Sequence, residues 1–253
     1  MTVSSRSKVS RASAPSQSFA WPREQFQQMV EDVLAYAKKI GATDAATEVS
    51  EGVGLSVSVR KGQTENVERN RDKSMGVTVY VGSRRGNASS SDFSSEALQQ
   101  TVRAAFDIAR FTAEDPAAGL PDTDTLATQA QADRPLDLYY PWNITAEDGI
   151  ALALRCEGAA LGVDKRITNS EGAGVSAQQS HFYVGNSRGF RGGYASSRHS
   201  FSVAPIAGRG SDMQRDSWYS SMRDPAELAS PEAVGRYAAE RALARLKSRK
   251  IPT

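Results

Sequence analysis

The stretch Gly54-Leu-Ser-Val-Ser-Val-Arg-Lys-Gly-Gln-Thr-Glu-Asn-Val-Glu-Arg69 decides the fold class. Leu55, Val57 and Val59 alternate with Ser56, Ser58 and Arg60. That period of two sends successive side chains to opposite faces of a half-buried strand. Lys61-Gly62 supplies a turn, and residues 64–69 are predicted to pair back across it. A strand with one apolar and one polar face belongs to an antiparallel sheet covered on one side only.

Working outward, Phe26, Met29, Val30, Val33, Leu34, Ala37 and Ile40 recur at the three–four spacing of a helix that begins at Pro22 and ends at Gly41. Downstream, Val77, Val79 and Val81 form a further strand, turned by Gly82-Ser-Arg-Arg-Gly86. A second helix follows, with Ser94 or Ser95 as its cap and Leu98, Val102, Ala105, Phe106 and Ala109 as its stripe. Pro116, Pro121 and Pro135 punctuate a polar stretch with few large apolar residues, a linker over 113–144.

The pattern then starts again. Thr145-Ala-Glu-Asp148 reads as a capping box that opens a helix through about Leu161. Residues 166–222 are glycine-punctuated, polar and aromatic, with alternating pieces such as His181-Phe-Tyr-Val184 and Ser200-Phe-Ser-Val203. They are predicted as antiparallel strands joined at Gly185-Asn186 and Gly192-Gly193. Pro231 fits the first turn of a last helix to about Leu246. Helix–meander–helix thus occurs twice, over 23–112 and 145–253, without a residue-level repeat. The predicted class is α+β, with antiparallel sheets covered by helices.

Composition narrows the chemistry. The chain has 253 residues, 39% hydrophobic and 24% charged, inside the globular range and long enough to fold without disulfides. Residues 1–22 carry Arg6, Lys8 and Arg11 and no acid, and read as a disordered, basic tail; an Arg- and Ser-rich start also describes a transit peptide, but no amphipathic stripe supports that. Without them the charges stand at 28 cations against 29 acids. A near-neutral body argues against direct nucleic-acid binding. No apolar run approaches the length of a membrane span.

The single cysteine, Cys156, lies in an Ala- and Leu-rich helix and reads as a small buried hydrophobe. One cysteine suits a reducing, cytoplasmic setting. Two histidines, His181 and His199, are too few for a His-rich metal centre, and no H-E-x-x-H, H-x-H or Cys pair is present. No serine sits in a G-x-S-x-G elbow. No catalytic or metal-binding residue is therefore assigned. The two basic glycine-rich runs, 82–86 and 185–193, fit hairpin turns better than phosphate loops, because neither opens a helix. Their arginines, Arg84, Arg85, Arg188 and Arg191, are the candidate peptide- or partner-binding residues, since guanidinium groups suit carboxylates. Residues 87–93 and 193–198 are small and polar. They read as exposed edge strands, the kind that can also accept an extended peptide.

Several motifs together resemble a known family. They are residues 54–68, then Gly76-Val-Thr-Val-Tyr-Val-Gly-Ser-Arg-Arg-Gly-Asn-Ala-Ser-Ser-Ser-Asp-Phe93, Asn169-Ser-Glu-Gly-Ala-Gly174 and Arg249-Lys-Ile-Pro-Thr253. In this order and spacing they are similar to the PmbA/TldD proteins, nearest the PmbA branch, also called TldE. The resemblance runs from about Phe26 to the end. It implies TldD/TldE heterodimers, cytoplasmic zinc-dependent peptidases of unfolded or modified peptides. That family is linked to peptide-antibiotic maturation, antitoxin degradation and modulation of DNA gyrase. It places the zinc ligands, in an H-E-x-x-x-H motif, in the TldD partner, and implies members nearly twice this length whose next domain follows the Lys-Ile-Pro-Thr stretch.

The resulting expectation is a non-catalytic PmbA/TldE-like subunit with no cofactor of its own, zinc in a TldD-like catalytic partner, and an extended peptide as substrate. Whether this chain is an enzyme by itself stays open, since it has no zinc-ligand motif. The alternative is a stand-alone peptide- or protein-binding module.

Overall fold

A computed structural model describes residues 19–248. The tail predicted over 1–22 falls outside them as far as residue 18, while residues 19–22 lie against the sheet. The helical stripes form as their spacing demands. Helix α1 (Arg23–Lys39) buries Phe26, Val30, Val33, Leu34 and Ala37, and the chain leaves it through Gly41 at φ 101°, a conformation glycine adopts without strain. Strands β1 (Asp44–Arg60), β2 (Gln63–Val81) and β3 (Arg84–Ser90) follow as a meander. The turn before β3 is tighter than predicted, so Arg84 and Arg85 already belong to the strand. Helix α2 (Ser95–Phe111) is capped by Ser94, whose side chain accepts from Ala97 N.

The stretch predicted as a linker contains a 3-10 turn at Thr123–Thr125 and one short α-helix, α3 (Gln129–Ala132). Helix α4 (Ala146–Leu161) opens on the full Thr145/Asp148 capping box. Strand β4 (Ile167–Asn186) is followed by a turn over 187–190, the two-residue β5 (Arg191–Gly192) and β6 (Ala195–Ala207). Strands β7 (Gln214–Arg215) and β8 (Trp218–Met222) precede α5 (Pro231–Ala244), which has Pro231 in its first turn.

All strands join one antiparallel sheet in the order β3-β2-β1-β4-β6-β7, with β5 on β4 and β8 on β6. The two predicted meanders therefore share a sheet, through the pairing of β1 with β4. Helices α1, α2, α4 and α5 pack on the same face. Phe26, Val30, Val33, Val49, Met75, Val79 and Val102 form one core under α1 and α2. Leu55, Val57, Val59, Val175, Phe201, Val203 and the alanines of α4 and α5 form a second. The opposite face is helix-free and carries the alternate, small polar residues.

The second core depends on a close helix crossing. A Cβ built on Gly235 of α5 would lie 2.3 Å from the Cys156 carbonyl oxygen and 3.0 Å from Ala160 N, both backbone atoms of α4. Gly158, on the exposed side of α4, has nothing within 4 Å of such a Cβ. Gly235→Ala is therefore expected to cost about 1–3 kcal/mol by forcing the helices apart. Gly158→Ala is expected to add about 0.5–1 kcal/mol, since alanine loses less backbone entropy. Chemical denaturation of both variants checks the pair; equal effects would refute the close crossing.

Candidate functional site

The four arginines singled out by sequence lie at one end of the sheet, where β1 starts and β2 and β4 finish. Three of them hold the chain's own groups. Arg84 donates to the Arg110 carbonyl and pairs with Glu114 at 3.1 Å. Arg188 pairs with Asp44 at 2.9 Å and donates to the carbonyls of Leu120 and Pro121, each at 3.0 Å. Arg191 grips Glu31 with two nitrogens, at 2.5 and 3.0 Å, and the Asn186 and Phe190 carbonyls at 2.6 and 2.7 Å. The Arg191 guanidinium holds the Glu31 carboxyl below the usual carboxylate range. Arg85 is exposed. Residues 114–122 run from the Arg84 hairpin to Arg188, so these side chains fasten that segment across the sheet end.

Sequence reasoning missed a second feature, a polar seam between the two cores on the helix side. Period-two parity puts Glu51 of β1, Gln179 and His181 of β4, and Ser197 and His199 of β6 on the same face as Val49, Tyr183 and Phe201, and all five are buried. A charged residue at an inward position was the available signal. Glu51 is 1% exposed and receives Arg71 Nη1 at 2.8 Å and the backbone N–H groups of Ala20 and Trp21 at 3.0 and 3.1 Å. His181 stacks on Phe26 with centroids 4.5 Å apart, and the tilted Phe19 ring lies 4.1 Å from it. Its Nε2 stands 3.5 Å from Glu51 Oε2, long for a hydrogen bond. His199 Nε2 donates to the Tyr140 carbonyl at 2.8 Å, and its ring meets Trp142 edge-on.

The seam is roofed by two extended segments. Residues 19–22 cover Glu51 and His181. Residues 138–142 cover the rest: Ser197 N donates to the Leu138 carbonyl at 2.9 Å, Tyr140 N to Ser197 Oγ at 2.9 Å, and Tyr139 Oη to Gln179 Oε1 at 2.9 Å. This corrects one expectation. Residues 193–198 are no open edge, because their strand pairs with β4 on one side and with residue 138 on the other. Residues 87–90 do lie on the sheet edge, in β3. The helix-free face holds a groove of about 490 Å³ at that end, lined by Ala46, Glu48, Gly76, Thr78, Asn87, Ser89 and Val184.

These donors do not suit a metal. The two histidines are buried on different strands, His181 between rings and His199 on a backbone carbonyl, and burial pushes the Cys156 thiol up to about 12, with Glu232 and Glu157 adding to it. Among the described residues no three His, Cys, Asp or Glu stand together as a metal site. Among them, too, no helix is long and apolar enough to cross a membrane.

Residues 46–109 match the family model described as PmbA/TldA metallopeptidase domain 1, and residues 139–246 match its central domain. The chain is also 46% identical over 220 residues to metalloprotease PmbA of Escherichia coli O157:H7. It belongs to the PmbA/TldD family.

The two family domains coincide with the segments from β1 to α2 and from Tyr139 to α5. A PmbA homologue of Haemophilus influenzae is 38% identical over 230 residues. The chain spans about half the length of these relatives, 48% and 50%, while 87% and 91% of the chain itself is matched. Among solved structures, a protein of Bacteroides thetaiotaomicron described as a modulator of DNA gyrase shares the fold with a TM-score of 0.81 at 23% identity, over 90% of this chain and 52% of that one. TldE of Thermococcus kodakarensis shares it with a TM-score of 0.72 at 14% identity, over 85% and 47%.

Two outcomes follow from the site's electrostatics. Removing Arg188 by Arg188→Ala should cost about 1–2 kcal/mol, its half-buried charge-assisted bonds being worth more than a surface pair. It should also speed proteinase K cleavage within residues 112–128, and an unchanged digestion pattern would contradict the fastening role. Burial depresses both histidines from the ordinary 6.5. Each therefore binds fewer protons folded than unfolded, so the stability they confer is full above about pH 6.5 and is lost as pH falls. Tm should drop between pH 7.5 and 5.5, and less steeply in His199→Gln; a flat profile for the parent would refute the burial effect.

Proposed function

We propose that this chain forms part of a non-catalytic PmbA/TldE-type subunit of a cytoplasmic metallopeptidase of unfolded or modified peptides. A TldD-like partner supplies zinc and the catalytic groups, and this subunit binds the extended substrate. The observation that carries the reading is the fate of the histidines and the cysteine in a chain so similar to PmbA. His181, His199 and Cys156 are buried in packing, and among the described residues no donor set for metal-activated water stands together.

The helix-free face supports the substrate role. It offers small, polar side chains and a groove in which a backbone can approach closely, the surface an unfolded peptide needs. Arg85, exposed on β3, is the arginine this reading assigns to a substrate carboxylate or a partner's acidic edge. Arg84, Arg188 and Arg191 enter this reading only by holding the chain's own segments at that end of the sheet. Direct nucleic-acid binding has no part in this reading, because the body is near-neutral.

The test mixes the chain with a TldD-type protein and zinc, then follows cleavage of an unfolded peptide alongside size-exclusion mass. Partner-dependent cleavage with a heteromeric peak is expected, with no cleavage by this chain alone. Cleavage by the chain alone would overturn the non-catalytic assignment. Peptide binding without any complex or cleavage would favour a stand-alone binding module.

A further inference from the structure

Residues 19–22 roof one end of the polar seam without joining either core as buried side chains. All four are exposed or partly exposed, whereas Glu51 and His181 beneath them are buried. Their attachment is specific. Both Glu51 carboxylate oxygens lie 3.0 Å from Ala20 N, and Oε2 also takes Trp21 N at 3.1 Å. The Phe19 ring lies 4.1 Å from the His181 ring and 5.6 Å from that of Tyr139. A second buried glutamate shows what the same grip looks like when it is permanent. Glu157 takes Lys61 N and Gly62 N, each at 2.9 Å, but those groups sit in the turn between β1 and β2 and leave only if the sheet opens. Residues 19–21 precede α1 and belong to no helix or strand.

We propose that the seam is a peptide-binding groove, occupied here by the chain's own residues 19–21 as a displaceable strap. Its ligand class is an extended peptide with an aromatic residue followed by two residues that keep their backbone N–H. The aromatic ring fills the slot between His181 and Tyr139. The buried carboxylate reads the two amides and is indifferent to their side chains, so proline is excluded at both positions. Glu51 stays anchored when the strap leaves, because Arg71 Nη1 holds it at 2.8 Å. Its emptied acceptor positions then favour refilling, since a buried acceptor without its donor costs about 1–3 kcal/mol. Tyr139 also walls a neighbouring cleft of about 530 Å³ with Arg23, Leu136 and Gly193, where a longer peptide can continue. The proposal does not rest on the assignment to a peptidase subunit.

The probe is a fluorescent, amino-acetylated and carboxy-amidated peptide of the sequence Ser-Phe-Ala-Trp-Pro, followed by polarisation. The full chain carrying Phe19→Ala and Ala20→Pro, which weakens the strap and leaves the groove intact, should bind it about ten-fold more tightly than the parent chain does, the loss of one buried hydrogen-bonded donor. Adding Glu51→Gln should remove that gain. A second probe with proline in place of its alanine should bind the strap-weakened chain about ten-fold more weakly, for the same reason. Equal binding of the two probes, or no gain on weakening the strap, overturns the proposal. A readout without variants uses hydrogen exchange: excess probe should speed exchange of the Ala20 and Trp21 amides in the parent chain and the proline probe should not, and no change with either also overturns it.

Discussion

Residues 46–59 of β1 pair without interruption with residues 173–186 of β4, and most else depends on that seam of backbone hydrogen bonds. Each half of the chain makes a helix pair and a set of strands, and neither half closes a sheet by itself. Pairing β1 with β4 puts both helix pairs on one face, because the side-chain parity of one strand fixes that of its neighbour. It also leaves the opposite face bare along its length. The core, the bare face and the polar gap between the helix pairs all follow from one register.

The sequence revealed elements more readily than their assembly. The stripes of α1 and α2, the Thr145/Asp148 box and Pro231 marked helices whose ends the structure reproduces closely, because capping and three–four spacing are local. The alternation of Leu55, Val57 and Val59 marked β1 for the same reason. The joining of two meanders into one sheet was not legible, since β1 and β4 are separated by more than a hundred residues and no local pattern names a strand's partner. At the sheet end, the arginines were visible as residues, but their acids Asp44 and Glu31 come from other elements. Glu51 and His181 were readable in principle: both keep the parity of buried neighbours, and only counting along the strand exposes them.

The polar seam has a physical rationale. Two apolar cores over one sheet leave a boundary where neither helix pair reaches. Buried polar groups there need partners, since an unpaired one costs more than its hydrogen bond gains. The chain meets this with extended segments, whose backbone amides and carbonyls are not used in helix or sheet. Residues 138–142 serve Ser197, His199 and Gln179, and residues 19–21 serve Glu51.

The β1–β4 pairing also sets a timetable. At about 5–20 residues per second, a ribosome needs roughly 5–20 s to make the hundred or so residues between the two strands. Through that interval the nascent β1–β2 hairpin stands with one strand edge vacant, a surface that invites pairing with other chains. Its long, low-entropy rival contacts are local, whereas the correct partner closes a large loop and arrives late. Until β4 arrives, the vacant edge of β1 is the part of the growing chain most in need of shielding. A pause in translation before β4 would prolong the vulnerable stage and raise the share of chains that aggregate.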